Sequence, residues 1–231
     1  MEGKLAITVT TEELEQHLNI QISFQDKNKF LKEALFNISP SNFLPVVTNM
    51  DRNSVRFMKW GLIPSWKNNS KNSKGLTSIS LSSFEGKPLL LNALDKHCIV
   101  YVSGFYIWKN SVAGKIPYYI TSKKRKLFGI AGMWECWETD DKNQDSFCLI
   151  TQKTNGPLSY ISTEWPVIIK EEKESEWLAS TSSELMNEEN FSPEYDFNYH
   201  PVNQKIIKSI ENNPKFINRI TYVVGEQTNL F

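Results

Sequence analysis

The stretch that decides the fold is residues 99–134, which read IVYVSGFYIWKNSVAGKIPYYITSKKRKLFGIAGMW. β-Branched and aromatic residues are concentrated there in four short runs, and such residues favour strands. Short spacers with turn residues separate the runs. The pattern therefore predicts antiparallel hairpins rather than βαβ units. The predicted strands are Ile99–Val102, Phe105–Trp108, Tyr118–Thr121 and Leu127–Trp134.

Further strands are predicted on both sides of this stretch, at Leu44–Val47, Val55–Trp60, Phe147–Thr151 and Pro166–Ile169. Asn37–Pro40 and Asp140–Asn143 are typical of turns. We therefore expect an α+β chain that is mainly β, in which antiparallel hairpins close on themselves as a barrel with peripheral helices.

Four helical segments are predicted. The first begins at a capping box, Thr10 to Glu13, and continues through Leu18. The others are Asn28–Leu35, Lys205–Asn212 and Glu171–Ala179, whose Trp177 and Leu178 should face inward.

The composition excludes several classes of protein. The chain has 231 residues, and its 26 basic and 26 acidic residues give a net charge of 0. No polybasic arm or acidic tail organises the molecule, although a local basic groove is still possible because binding depends on where charges lie. The start of the chain lacks the pattern of a signal peptide, and the longest apolar runs are too short to span a bilayer. We expect a cytoplasmic protein without a membrane segment.

The cysteines and histidines give no pattern of metal ligands. The three cysteines are far apart in the sequence and form no CxxC pair, so we expect them to be buried free thiols. The three histidines are also scattered. No metal and no cofactor are predicted. These six residues are Cys98, Cys136, Cys148, His17, His97 and His200.

Four segments together carry a resemblance to a known family. They are Asn37–Pro40, Met58–Trp66 (MKWGLIPSW), Gly104–Lys109 (GFYIWK) and Pro166–Ile169. Their order and spacing are similar to those of the SRAP (SOS response-associated peptidase) family, whose members bind abasic sites in single-stranded DNA. Tyr199–Val202 and Asn212–Pro214 extend the match. The resemblance implies one SRAP-like domain over residues 1–224, followed by a tail at 225–231.

The resemblance also implies a chemistry. In the family, removal of Met exposes an N-terminal Cys, whose amine and thiol trap the abasic aldehyde as a thiazolidine. An Asn in an Asn-Ala-Arg element, a Glu before a Trp-Lys pair and a His before a Pro-Val strand complete the site. This chain departs from the pattern at every one of those positions, which are aligned with Glu2, Ser78, Ile107 and Ser162.

These departures predict a protein that has lost the covalent reaction. A thiazolidine needs a 1,2-aminothiol, and neither Ile107 nor Ser162 can exchange a proton near neutral pH. The leading hypothesis is a pseudoenzyme that binds single-stranded or abasic DNA in the SOS response. The alternative is an SRAP-type enzyme that works through the Met1 amine as a Schiff-base lyase, a cross-linking protein or an autoproteolytic peptidase. A third hypothesis is a protein-interaction module without a DNA role.

Aromatic and basic residues of the SRAP-like frame are candidates for holding single-stranded DNA, because bases stack on aromatic rings and lysines pair with phosphates. In the alternative interpretation, Trp60 and Trp108 belong to the core and the lysines to a solvated face. The candidates are Lys4, Asn37, Pro40, Trp60, Pro64, Trp66, Lys67, Phe84, Trp108 and Lys109.

The last residues form a second candidate site. Gln227-Thr228-Asn229-Leu230-Phe231 is similar to the Gln-x-x-Leu-Phe peptide with which bacterial repair proteins dock on the sliding clamp. Leu230 and Phe231 would be apolar anchors, and Gln227 would hydrogen-bond at the rim. Alternatively, Leu230 and Phe231 pack on the surface of the barrel itself.

Overall fold

The computed structural model describes residues 3–63, 75–84, 95–112, 114–138, 143–180 and 191–221. The strands in these ranges are β1 (Gly3–Ile7), β2 (Leu35–Ile38), β3 (Phe43–Thr48), β4 (Arg56–Trp60), β5 (Ser78–Ser80), β6 (His97–Val102), β7 (Gly104–Ser111), β8 (Gly114–Ser122), β9 (Phe128–Glu138), β10 (Asn143–Lys153), β11 (Glu164–Pro166) and β12 (Phe197–Pro201). The helices are α1 (Thr11–Leu18), α2 (Phe24–Phe30) and α3 (Glu174–Ala179). Short 3-10 turns span Leu81–Ser83, Glu171–Lys173, Glu194–Asp196, Gln204–Ile207 and Pro214–Ile217.

Five strands close into the predicted barrel. Around it, β10 pairs with β4, β4 with β3, β3 with β6, β6 with β9, and β9 again with β10. All these pairs are antiparallel except β4 and β10. An odd number of strands cannot alternate in direction all the way around a closed ring, so one parallel pair is unavoidable. Strands β5 and β11 extend the barrel beside β10.

A second, antiparallel sheet has the strand order β12-β8-β7-β1-β2. Its strands β1 and β2 were not predicted. Residues 35–38 were instead divided between a predicted helix and a predicted turn. These strands are short, and they form because β1 pairs with β7 on one side and with β2 on the other.

The helices agree with the sequence in part. The capping box is confirmed, since Thr10 Oγ1 accepts from the Glu13 amide at 3.2 Å and Glu13 Oε2 from the Thr10 amide at 3.0 Å. Trp177 and Leu178 of α3 are buried as predicted. The second helix is present with other bounds than predicted, and the prediction of a last helix was wrong. The second helix spans Phe24–Phe30, so it ends five residues before Leu35, the predicted end. Residues 205–207 of the predicted segment Lys205–Asn212 belong to the 3-10 turn Gln204–Ile207, and the rest form no helix.

The core places one face of the second sheet against the barrel. Leu5, Phe105 and Ile107 on that face join the large apolar cluster that fills the barrel. Residues that alternate with them, among them Tyr106 and Tyr119, form a smaller cluster on the opposite face with the C-terminal turns. None of the helices in the described ranges is long and apolar enough to cross a membrane.

Candidate functional site

The position of the family glutamate is occupied by a core residue. Ile107 on β7 pairs directly with Gly3 on β1 and with Tyr118 on β8. The first described residue therefore lies beside position 107, as a site built around the N-terminus requires. Ile107 itself is only 1% exposed and belongs to the main apolar cluster. An aliphatic side chain at this place can neither donate nor accept a proton.

The position of the family histidine lies in the segment that connects β10 to β11. The Ser162 hydroxyl donates to the Glu164 carbonyl at 2.7 Å, and its oxygen accepts from the Glu164 amide at 3.3 Å. The Ser162 backbone is held at both ends, because its amide donates to the Leu158 carbonyl and its carbonyl accepts from the Thr154 hydroxyl. Ser162 therefore has a local structural role in the connecting segment.

A buried carboxylate that the sequence analysis missed holds the same segment. Glu194 is 7% exposed, and its oxygens accept from three backbone amides, those of Asn155 at 2.8 Å, Gly156 at 3.2 Å and Leu158 at 2.8 Å. The fit is close, since a Cβ on Gly156 would lie 3.0 Å from Glu194 Oε2. We call residues 154–163, which Glu194 anchors, the connecting loop. No sequence pattern marks Glu194, because its partners lie 36 to 39 residues earlier.

The segment aligned with the family's Asn-Ala-Arg element is Ser78–Ser80, which carries neither the amide nor the guanidinium of that element. These residues form β5, which runs parallel to β10 with Ser78 opposite Leu149.

Two residues that the sequence offered as candidates for binding DNA make hydrogen bonds within the protein. Lys4 is 7% exposed, and its ammonium donates to Asn37 Oδ1 at 2.7 Å and to the Ser209 carbonyl at 2.6 Å. The Asn37 amide donates to the carbonyls of Ser209 and Glu211. Burial lowers the pKa of Lys4. Lys4 and Asn37 thus connect β1 and β2 to the C-terminal segment, and phosphate would have to compete with these bonds.

The aromatic candidates differ in their surroundings. Trp60 and Phe84 are each 1% exposed, and the Trp60 indole donates to the Thr77 carbonyl at 2.9 Å, so both belong to the core. Trp108 is half-buried and its ring lies against that of Tyr106. Pro40 is exposed. In this conformation Trp60 and Phe84 offer no open ring face to a base.

Of the remaining candidate residues, one lies within the described ranges and seven lie outside them. Lys109 lies on β7 with its ammonium 4.7 Å from the centre of the Tyr160 ring. The others lie outside the described ranges, and they are Glu2, Pro64, Trp66, Lys67, Gln227, Leu230 and Phe231. Within those ranges, no group of three or more His, Cys, Asp or Glu residues is arranged to hold a metal ion.

The chain is similar in sequence to a known family and to several of its members. Residues 1–209 match the model of the family described as SOS response associated peptidase (SRAP). The abasic site processing protein YoqW of Bacillus subtilis is 33% identical over 164 residues, which cover 69% of this chain and 70% of YoqW. The abasic site processing protein HMCES of Xenopus tropicalis is 26% identical over 228 residues, covering 82% of this chain and 67% of HMCES.

A solved structure supports the fold. A crystal structure of a protein from Bacteroides thetaiotaomicron superposes with a TM-score of 0.82 and 21% identity, covering 96% of this chain and 100% of the other. Both the sequence and the fold are thus similar to those of known proteins. The chain belongs to the SRAP family.

Proposed function

We propose that this SRAP-family chain binds single-stranded DNA at abasic sites, as part of the response to DNA damage, and that it holds the strand without a covalent bond. The relatives named above are abasic site processing proteins. One observation carries the non-covalent part of the proposal. Ile107, at the family's acid position, is buried in the apolar core directly opposite Gly3.

The thiols of the barrel core do not replace the missing nucleophile. Cys98 and Cys148 are fully buried. Burial raises the pKa of Cys148 to about 12 and also raises that of Cys98. Because the thiolate is the reactive form of cysteine, these thiols stay protonated and unreactive at neutral pH. A cross-link through either of them would also require the barrel to open.

The direct test uses a labelled single-stranded oligonucleotide with one natural abasic site. We expect reversible binding that weakens steeply with salt, as phosphate contacts require. We also expect no adduct that survives heating on a denaturing gel. The Glu2→Cys variant is the matched control, because removal of Met1 would then expose a 1,2-aminothiol. A heat-stable adduct of the unmodified chain would refute the non-covalent proposal.

The same oligonucleotide distinguishes the enzymatic alternative. If the Met1 amine attacks the abasic aldehyde, an imine forms with loss of water, and borohydride reduces it to a stable secondary amine. Borohydride-dependent trapping together with strand cleavage would favour a Schiff-base lyase. Failure to bind any single-stranded DNA would favour the protein-interaction module.

We further propose that residues 227–231 dock on the sliding clamp. The support is the match of Gln227, Leu230 and Phe231 to the clamp-binding peptide. A double variant, Leu230→Ala with Phe231→Ala, should lose capture by immobilised clamp, since both apolar anchors are removed. Thr228→Ala is the control at a position that the motif leaves free. Equal capture of the double variant and the unmodified chain would dismiss the docking peptide.

A further inference from the structure

A group of polar aromatic residues lies on the same sheet face as Ile107. Side chains alternate along a strand, so Lys109, two residues beyond Ile107 on β7, points to the same side. Tyr118 pairs directly with Ile107, and Tyr199 pairs with Ile120 one row further in. Lys109, Tyr118 and Tyr199 therefore lie on the same sheet face as the position that the family uses for its acid.

Tyr160 from the connecting loop completes this group. Its ring contacts Tyr118 edge-on at 6.2 Å between centroids, and Tyr199 at 6.0 Å. Burial, followed by the neighbouring phenols, raises the pKa of Tyr160, so the phenol stays neutral at physiological pH. We call Lys109, Tyr118, Tyr160 and Tyr199 the tyrosine platform.

The platform combines a partly exposed aromatic residue with a positive charge. Tyr160 is 48% exposed, Tyr118 and Tyr199 contact its ring, and the Lys109 ammonium lies over the ring, 4.7 Å from its centroid. Single-stranded nucleic acids are held by this combination, in which an aromatic face stacks a base and a nearby cation meets the phosphate.

We propose that the tyrosine platform stacks an unpaired base of the DNA strand beside the abasic site, with Tyr160 as the stacking ring and Lys109 as the phosphate partner. This inference rests on the proposed function and names a binding surface for it. Continuity with the family site favours DNA as the occupant. Tyr160 is two residues from Ser162, and Tyr118 pairs with Ile107. Without a covalent bond, stacking of this kind would keep the strand in register.

The test measures binding of a single-stranded oligonucleotide with one stable tetrahydrofuran abasic analogue and a 2-aminopurine on one side of it. Two oligonucleotides place the 2-aminopurine 5′ or 3′ of the lesion. We expect quenching of one of them on binding, because stacking quenches this base. Tyr160→Leu should weaken binding roughly tenfold or more and abolish the quenching, since it removes the aromatic face. Tyr160→Phe should retain both signals.

Two controls separate the platform from general damage. Tyr195→Leu removes another tyrosine, 67% exposed, and should leave affinity unchanged. Lys109→Ala should lower the slope of log affinity against log salt by about one phosphate contact. Thermal unfolding of each variant shows whether it is folded.

The outcomes are distinguishable. If the unmodified chain does not bind the oligonucleotide, the proposed function and the platform both fail. If it binds, but folded Tyr160→Leu binds equally tightly with the same quenching, the platform alone fails. A Tyr160→Phe variant that loses as much affinity as Tyr160→Leu would also contradict stacking, because it would assign the effect to the hydroxyl.

Discussion

Replacing Glu194 with Gln should destabilise the connecting loop and with it the candidate site. In the structure, Oε1 of Glu194 accepts from the amides of Asn155 and Gly156, and Oε2 accepts from the amide of Leu158. Glutamine keeps one carbonyl oxygen and replaces the other oxygen with an NH₂ group. A donor would then face the Leu158 amide, which is itself a buried donor.

The magnitude follows from these three bonds. A buried amide that loses its acceptor costs about 1–3 kcal/mol. The two bonds that remain lose their charge assistance, which weakens each by about 0.5 kcal/mol. The expected decrease in the free energy of unfolding is therefore about 2–4 kcal/mol, a large part of the stability of a typical domain.

The assay is urea unfolding followed by tryptophan fluorescence, in which the midpoint should fall while the slope stays constant. Glu172→Gln is the matched control, since Glu172 is exposed, and its effect should stay within about 0.5 kcal/mol. Glu194→Gln should also weaken binding of abasic DNA, because Tyr160 and Ser162 lie in the anchored loop. A loss of stability below about 1 kcal/mol would refute the anchoring role of Glu194.

Three other changes test the site and its surroundings. Lys4→Met removes the donor to Asn37 and Ser209 and should cost about 1–3 kcal/mol in urea unfolding; the salt dependence of DNA binding should not change, and a slope lowered by one phosphate would contradict the structural role. Ile107→Glu should lower the free energy of unfolding by about 3 kcal/mol or more, because it buries a carboxylate in an apolar core. The control Ile107→Leu should lower it by less than about 1.5 kcal/mol. An Ile107→Glu variant as stable as the unmodified chain would mean that the position is open to water. Burial lowers the pKa of His17, so the unfolded chain binds the proton more readily than the folded protein does. The free energy of unfolding should therefore fall as pH drops below about 6.5, and it should fall less steeply in the His17→Gln variant. Identical pH profiles of the two proteins would exclude this contribution.

Local patterns predicted those parts of the fold whose cause is local. The strands between residues 97 and 138 and the capping box of α1 need only neighbouring residues to be recognised. Strands β1 and β2 were missed because their formation depends on pairing with strands that are distant in the sequence. The prediction of a helix at Lys205–Asn212 failed for a similar reason. The Ser209 carbonyl accepts a hydrogen bond from Lys4, which lies near the other end of the chain.

The candidate site shows the same division at the level of side chains. Alignment of motifs singled out Ile107 and Ser162, because residue identity is a property of the sequence. Whether Lys4 meets solvent or a carbonyl, and whether Trp60 offers a ring face or fills the barrel, depends on distant partners. The contacts of Glu194 with the connecting loop and the neighbours of Tyr160 could not be predicted for that reason.

The sequence by itself determined the family, the predominance of strands and the absence of titratable side chains at positions 107 and 162. Only the tertiary structure decided that Ile107 lies against Gly3 in the core, that β4 and β10 close the barrel in parallel, and that Tyr160 stands beside Lys109. The physical reason is that composition and short-range spacing act within a few residues. Burial and pairing join residues far apart in the chain, so they are set only when the whole chain folds.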